Sequence, residues 1–142
     1  MDSLHHIIYQ STAVMALSGP ELERLLNQSR VHNQLAGVSG MLLYDGNRFL
    51  QVLEGPEVAV THIFSRIVPD CRHTDVQVLA NGPLAQRQFS AWSMGLVNYG
   101  ICSKADFEDP LPAMLSVTDA ALWMLLHDFQ LNASRMQRYM AS

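Results

Sequence analysis

Cysteine is scarce in this chain. The two present, Cys71 and Cys102, have no C-x-x-C partner and no framework spacing, which argues against a disulfide scaffold and a zinc site and makes a reducing, cytoplasmic compartment the expectation. Long apolar runs are missing too. No stretch of about 18 such residues is there to span a bilayer, so no membrane role is expected. Positive charge is in short supply, with nine Lys and Arg against 13 Asp and Glu and a formal net charge of -4, and nothing in that balance attracts nucleic acid. The opening stretch, MDSLHHIIYQ, has an acid and two histidines where a leader would carry basic residues, and it reads as a first strand. Neither a P-loop nor G-x-G-x-x-G occurs. The histidines at 5, 6, 32, 62, 73 and 127 show no metal-ligand spacing and no nucleophile-base-acid arrangement, so an enzyme is not the expectation.

What is present suits one core of ordinary size: 142 residues, 49% apolar and 15% charged. Leu4 to Gln10 suits a strand. Ser18 and Glu21 form a capping box with Pro20 in the first turn. Leu22, Leu25, Leu26, Ser29 and Asn33 then continue one helical face as far as Gly37. VSGMLLY and RFLQVLEG flank Asp45-Gly46, a signal for a tight hairpin with positive φ angles. Pro56 and Glu57 open a second helix, whose stripe of Val60, Ile63, Phe64, Ile67 and Val68 is ended by Pro69. DVQVLANG reads as a fourth strand and FSAWSMGLV as a fifth.

The expected fold is therefore α+β, a ferredoxin-like β-α-β-β-α-β arrangement with an additional fifth strand and two helices on one sheet face. After about residue 100 a connector leads to TDAALWMLLHDF, with an apolar stripe at Leu122, Leu125, Leu126 and Phe129, and a last short helix could hold Met136, Tyr139 and Met140. These helices are expected to cover the other sheet face, within the chain or from a partner subunit. The division is a domain over residues 1–100 and a helical extension over residues 101–142.

Gln51 is the polar residue that does not belong. It points the same way as Phe49 and Leu53 in an apolar strand, and a buried amide needs hydrogen-bond partners. In the ferredoxin-like order its strand neighbours the first, so Gln51 and Tyr9 face one space between the helices, near Asn33, His32, Ser11 and Ser29. A phenol, carboxamides and hydroxyls around an apolar slot suit a planar heterocycle with amide and imide edges. Arg66, Asp70, Arg72 and His73 follow at the end of the second helix, where cations could hold phosphate oxygens and Asp70 a polyol hydroxyl.

Tyr9-x-Ser11, His32-Asn33, GVSGMLLY at 37–44, FLQVLEG at 49–55, DCRH at 70–73 and WSMG at 92–95 occur in order. Together they resemble the BLUF family, blue-light sensors that bind flavin. The resemblance covers roughly residues 4 to 97. It implies FAD, with FMN or riboflavin as alternatives. It implies that Gln51 hydrogen-bonds the flavin and Tyr9 hydrogen-bonds Gln51. Asn33 would bind the pyrimidine edge with His32 packed near it, and Arg66, Asp70, Arg72 and His73 would contact the ribityl and phosphate part. Ser11 and Ser29 would join this binding set. Trp92 and Met94 match two positions of which one packs toward the site, and the sequence does not say which. Two departures stand out. VSG replaces the usual Ile-Thr-Gly and Cys71 the usual proline, small changes expected to affect packing or loop stiffness.

The mechanism that the resemblance implies runs from Tyr9 through Gln51. Light draws an electron and then a proton from Tyr9, and Gln51 ends rotated or tautomerised, with a slight red shift of the absorption. The fifth strand would pass the change to the C-terminal helices and a downstream signalling protein, and self-association into a homo-oligomer is also expected. A flavin- or nucleotide-dependent enzyme and a ferredoxin-like interaction domain without cofactor are the alternatives.

Overall fold

Alternating apolar residues build a central sheet and two periodic stripes lay helices on it. A computed structural model describes residues 3–90, 94–98, 121–129 and 131. In chain order the elements are β1 (Leu4–Ala13), α1 (Gly19–Ala36), β2 (Ser39–Tyr44), β3 (Arg48–Pro56), α2 (Glu57–Ile67), β4 (His73–Pro83) and β5 (Gly95–Asn98). The sheet order is β4-β1-β3-β2-β5. All neighbours are antiparallel except β2 and β5. This is the α+β, ferredoxin-like order with a fifth strand added at an edge.

Local chemistry explains where the elements start and stop. The Ser18 hydroxyl accepts the Glu21 N–H at 3.2 Å while the Glu21 carboxylate accepts from the Ser18 N–H, a cap of the kind that stabilises a helix by about 0.5–2 kcal/mol. Gly37 ends α1 in the left-handed region at φ 72, where a side chain would be strained. Between β2 and β3 the connection is looser than the tight turn expected. Only Gly46 has positive φ there, at 95, and the Asp45 carboxylate accepts the N–H groups of both Asn47 and Arg48. An aspartate that hydrogen-bonds the chain ahead of it replaces the second left-handed residue.

The two sheet faces carry separate cores. Ile7, Leu42, Phe49 and Leu53 pack against Leu22 and Leu26 of α1 and Val60 of α2. On the other face Ile8, Met41, Leu43, Leu50 and Val52 pack against Leu122, Leu126 and Phe129 of the helical segment 121–129. That cover comes from within the chain. The Arg48 guanidinium also lies 4.9 Å above the Phe129 ring. Gly40 lets the layers close up, because a Cβ there would lie 1.9 Å from the Val52 carbonyl oxygen and 3.4 Å from Met94 Cε.

Some boundaries differ from expectation. β5 begins at Gly95, so Phe89 and Ser90 belong to the preceding connector. Val68 caps α2 and is exposed, not part of its buried stripe. Trp92, the connector after residue 100 and the expected helix with Met136, Tyr139 and Met140 lie outside the described residues. Among the described residues no helix is long and apolar enough to cross a membrane.

Candidate functional site

β1 and β3 lie side by side at the sheet centre, and their register sets Tyr9 directly opposite Gln51. Above them, between the helices, opens a cleft. Its walls are Leu25 and Ser29 of α1, Ile67 of α2, Leu42 and Phe49 of the sheet, and the loop residues Asp70 and Arg72, with His73 at the start of β4. A few polar groups converging on a mostly apolar slot is the usual make-up of a small-molecule site. Among the described residues no group of three or more His, Cys, Asp or Glu is placed to hold a metal.

The floor of the cleft is a chain of three side chains. Tyr9 donates its hydroxyl hydrogen to Gln51 Oε1. Gln51 Nε2 in turn donates to Met94 Sδ at 3.5 Å. Gln51 is 4% exposed and Met94 1%. Met94, one residue before β5, therefore faces inward, while Trp92 lies outside the described residues. A thioether is a weak acceptor, so the amide nitrogen, with two hydrogens to place, keeps donor capacity toward the cleft. Burial, with the Asp70 charge second, holds the Tyr9 hydroxyl protonated far above the usual tyrosine range. Phe64, with ring centroids 5.5 Å apart, and the edge of His73 fix the phenol ring.

Ser11 and His73 form one unit beside it. His73 Nε2 lies 2.8 Å from the Ile67 carbonyl oxygen, which can only accept, so that nitrogen carries the hydrogen. Nδ1 is then left to accept from the Ser11 hydroxyl at 2.8 Å. Asp70 and Arg72 are engaged with each other. Arg72 Nε donates to Oδ1 at 2.9 Å and Nη2 to Oδ2 at 2.5 Å, and this pairing holds the Asp70 carboxyl below the usual carboxylate range. His32 and Arg66 are exposed and line no part of the cleft. Asn33 is buried on the same stripe of α1 as Leu25 and Ser29, one turn further along the helix than the residues that line the cleft. The geometry thus gathers Tyr9, Ser29, Gln51, Asp70, Arg72 and His73 at the cleft, with Ser11 and Met94 against them, and leaves His32 and Arg66 outside.

Two residues that the sequence reading passed over are part of this architecture. Glu54 leaves β3 by the face opposite Gln51 and is 0% exposed. Its carboxylate accepts the Ser39 hydroxyl at 3.0 Å and the N–H groups of Gln88 at 2.8 Å and Phe89 at 2.5 Å. Ser39 also accepts from Arg87 Nη1 at 2.9 Å, so the serine of VSG joins a polar network as well as the packing. On α1, Arg30 Nε donates to the Met94 carbonyl oxygen at 2.9 Å. Both had a signal. Glu54 continues the alternating face of Leu50 and Val52, and Arg30 falls four residues after Leu26 and three before Asn33 on the buried stripe.

Known proteins resemble this chain in sequence and fold. The chain is 33% identical over 93 residues to photoactivated adenylate cyclase subunit beta of Euglena gracilis, a match over 65% of this chain and 11% of that protein. Against the blue light- and temperature-regulated antirepressor BluF of Escherichia coli the identity is 30% over 86 residues, 61% of this chain and 21% of the relative. The chain thus spans only a small part of the length of these curated relatives. Among solved structures, the dark state of BlrB, a BLUF protein, superposes with a TM-score of 0.64 at 35% identity, covering 70% of this chain and 75% of the other. The BLUF domain of BlrP1 superposes with a TM-score of 0.72 at 29% identity over 94% of this chain and 90% of that one. The family model described as BLUF, sensors of blue-light using FAD, matches residues 4–95, and with the cleft that those residues build, the chain belongs to this family.

Proposed function

We propose that this chain is a blue-light photoreceptor that binds oxidised flavin in the cleft between α1 and α2 and signals through β5 and the C-terminal helix. The observation that carries the reading is the relay of Tyr9, Gln51 and Met94 along the cleft floor. The residues present fit a flavin ring. Leu25, Leu42, Phe49 and Ile67 offer apolar walls, and the Gln51 amide, whose nitrogen donates to the Met94 sulfur among the described residues, offers donor capacity to a ring carbonyl or nitrogen. FAD is the expected flavin from the family description, and FMN or riboflavin would present the same ring.

When bound, a flavin supplies a blue-light absorber that becomes a strong one-electron oxidant on excitation. The chain's own residues do the rest. Tyr9, kept neutral by burial, lies against Gln51 and can give up an electron and then its hydroxyl proton along the existing hydrogen bond, and both would return to it as the amide settles, so that no net oxidation remains. Gln51 is held with its oxygen toward Tyr9 and its nitrogen toward Met94. Rotation would exchange the amide oxygen and nitrogen between their partners, tautomerisation would move a hydrogen from nitrogen to oxygen in place, and a new donor to a ring carbonyl would account for a red shift. Leaving Met94 without its donor then biases β5, whose ladder with β2 begins at the next residue. Asn33 would meet the pyrimidine edge, and Ser29, Asp70, Arg72 and His73 the ribityl part, with Ser11 orienting His73.

In this reading residues 1–100 are the sensor and residues 101–142 the output extension, which acts on a partner protein or a second copy and catalyses nothing itself. The names of the relatives, a photoactivated cyclase and a light-regulated antirepressor, support a module that hands its state to a separate effector. An absorption spectrum of purified protein in the dark, after blue light and after recovery tests it. A flavin spectrum that shifts reversibly to the red supports the reading. Bleaching would indicate net redox chemistry, and absence of flavin after FAD is added would leave an interaction domain; either overturns it.

A further inference from the structure

Met94 sits at a weak place in the sheet. β5 has four residues, pairs with β2 only from Gly95 onward, and among the described residues has no strand on its other side. Successive residues of a strand point to opposite faces, so turning or slipping β5 by one position would withdraw Met94 from the core and present a neighbour. The thioether contact with Gln51, at 3.5 Å, is too weak to hold that choice alone. Gly40 makes the space that Met94 Cε enters, but space does not fix a strand either.

The fixed point is on α1. Half-buried Arg30 donates Nε–H to the Met94 carbonyl at 2.9 Å. No carboxylate competes for this guanidinium among the ion pairs of the described residues. The peptide that follows Met94 is thus held by α1 on one side and by the start of the β2 ladder on the other. A charge-assisted hydrogen bond to a backbone carbonyl is stronger than a neutral one, and it acts on the backbone, so it orients the side chain without touching it.

Resting on the photoreceptor reading above, we propose that Arg30 is a positioning residue that holds Met94 against Gln51 and thereby sets how fast the dark arrangement is regained. Return to the dark state requires Met94 to be reseated on the Gln51 amide. Arg30 favours the seated strand, and its loss slows the return.

The test compares Arg30→Gln, Arg30→Lys and, as a control for lost charge on the same helix, the exposed Arg24→Gln, all as full chains with flavin. Methyl-labelled methionine NMR in the dark reads Met94 directly, with Met15, 76% exposed, as the internal marker of a solvated methyl. In Arg30→Gln the Met94 resonance moves toward that of Met15 and dark recovery slows about tenfold, with the size of the red shift unchanged. Arg30→Lys, which keeps a cationic donor, falls between wild type and Arg30→Gln, and Arg24→Gln matches wild type. An unmoved Met94 resonance in Arg30→Gln, or equal effects in Arg24→Gln, overturns the proposal. A wild-type protein that binds flavin without any reversible red shift sinks the photoreceptor reading instead, and the Met94 resonance still decides what Arg30 does.

Discussion

Gln51 and Glu54 leave the central strand β3 by opposite faces, three residues apart, and each is buried with its polar atoms engaged. Gln51 meets Tyr9 and Met94 at the cleft. Glu54 holds the N–H groups of Gln88 and Phe89 behind the sheet. Phe89 in turn packs with Leu122, Leu126 and Phe129. One strand therefore touches both the candidate light-sensing amide and the connector that borders the C-terminal helix.

Tyr9→Phe removes the hydroxyl and little volume. Gln51 Oε1 then loses its donor in a buried site, a loss of about 1–3 kcal/mol. The variant is expected to bind flavin, to melt at lower urea and to show no reversible red shift. A normal shift in Tyr9→Phe means that the electron and proton come from elsewhere.

Met94→Ala separates colour from output. The amide switch lies upstream of Met94, so the red shift persists, while light-induced change in the C-terminal helix is lost. Difference infrared spectra in the amide region and hydrogen exchange of residues 121–129 read the two parts separately. If both stay as in wild type, β5 is not the route.

Glu54→Gln keeps the size of the side chain and replaces an acceptor oxygen with a donor. One of the two backbone N–H groups, or the Ser39 hydroxyl, then faces an NH2 group instead of a carboxylate oxygen. Stability is expected to fall by about 1–3 kcal/mol in equilibrium urea unfolding, with flavin affinity close to wild type because the cleft lies on the opposite face.

Acid and base act on different groups. The Asp70 carboxyl is held low first by the Arg72 side-chain hydrogen bonds, so the unfolded chain binds the proton first. Its stabilising contribution is present above about pH 4 and is lost as pH falls through the depressed folded value. Melting curves of wild type and Asp70→Asn should differ at pH 6 and converge in strong acid. Tyr9 runs the other way. Burial raises its pKa, so at about pH 10, where a free tyrosine is half ionised, it still carries its hydrogen and the red shift keeps its size. Stability falls above that pH because the unfolded tyrosine releases a proton that the folded one retains.

Much of this was legible in the sequence because it rested on local rules. The capping box at Ser18, the stripes of α1 and α2 and the alternation around Gln51 follow from side-chain periodicity, and β1 beside β3 follows from the order of elements. The misses needed distances that no local pattern encodes. Glu54 reads as the polar end of a strand until its partners arrive from Gln88 and Phe89, more than thirty residues away. His32 and Asn33 are adjacent in sequence, yet one faces solvent and the other the interior, because each residue step rotates a helix by about 100°. Arg66 was placed by chemical type, and its exposed position on α2 depends on helix rotation against the sheet.

The mutual pairing of Asp70 and Arg72 bears on selectivity among flavins. A phosphate reaching Arg72 meets a cation whose Nε and Nη2 are already committed to a carboxylate, and it approaches that carboxylate's negative charge at the same time. Attraction for a phosphate tail would thereby be weakened, and discrimination would fall mainly to the ring and its amide contacts. Riboflavin, FMN and FAD should accordingly bind the apoprotein with dissociation constants within about tenfold of one another, and Asp70→Asn, which leaves the guanidinium without its counter-charge, should spread them apart in favour of the phosphorylated forms.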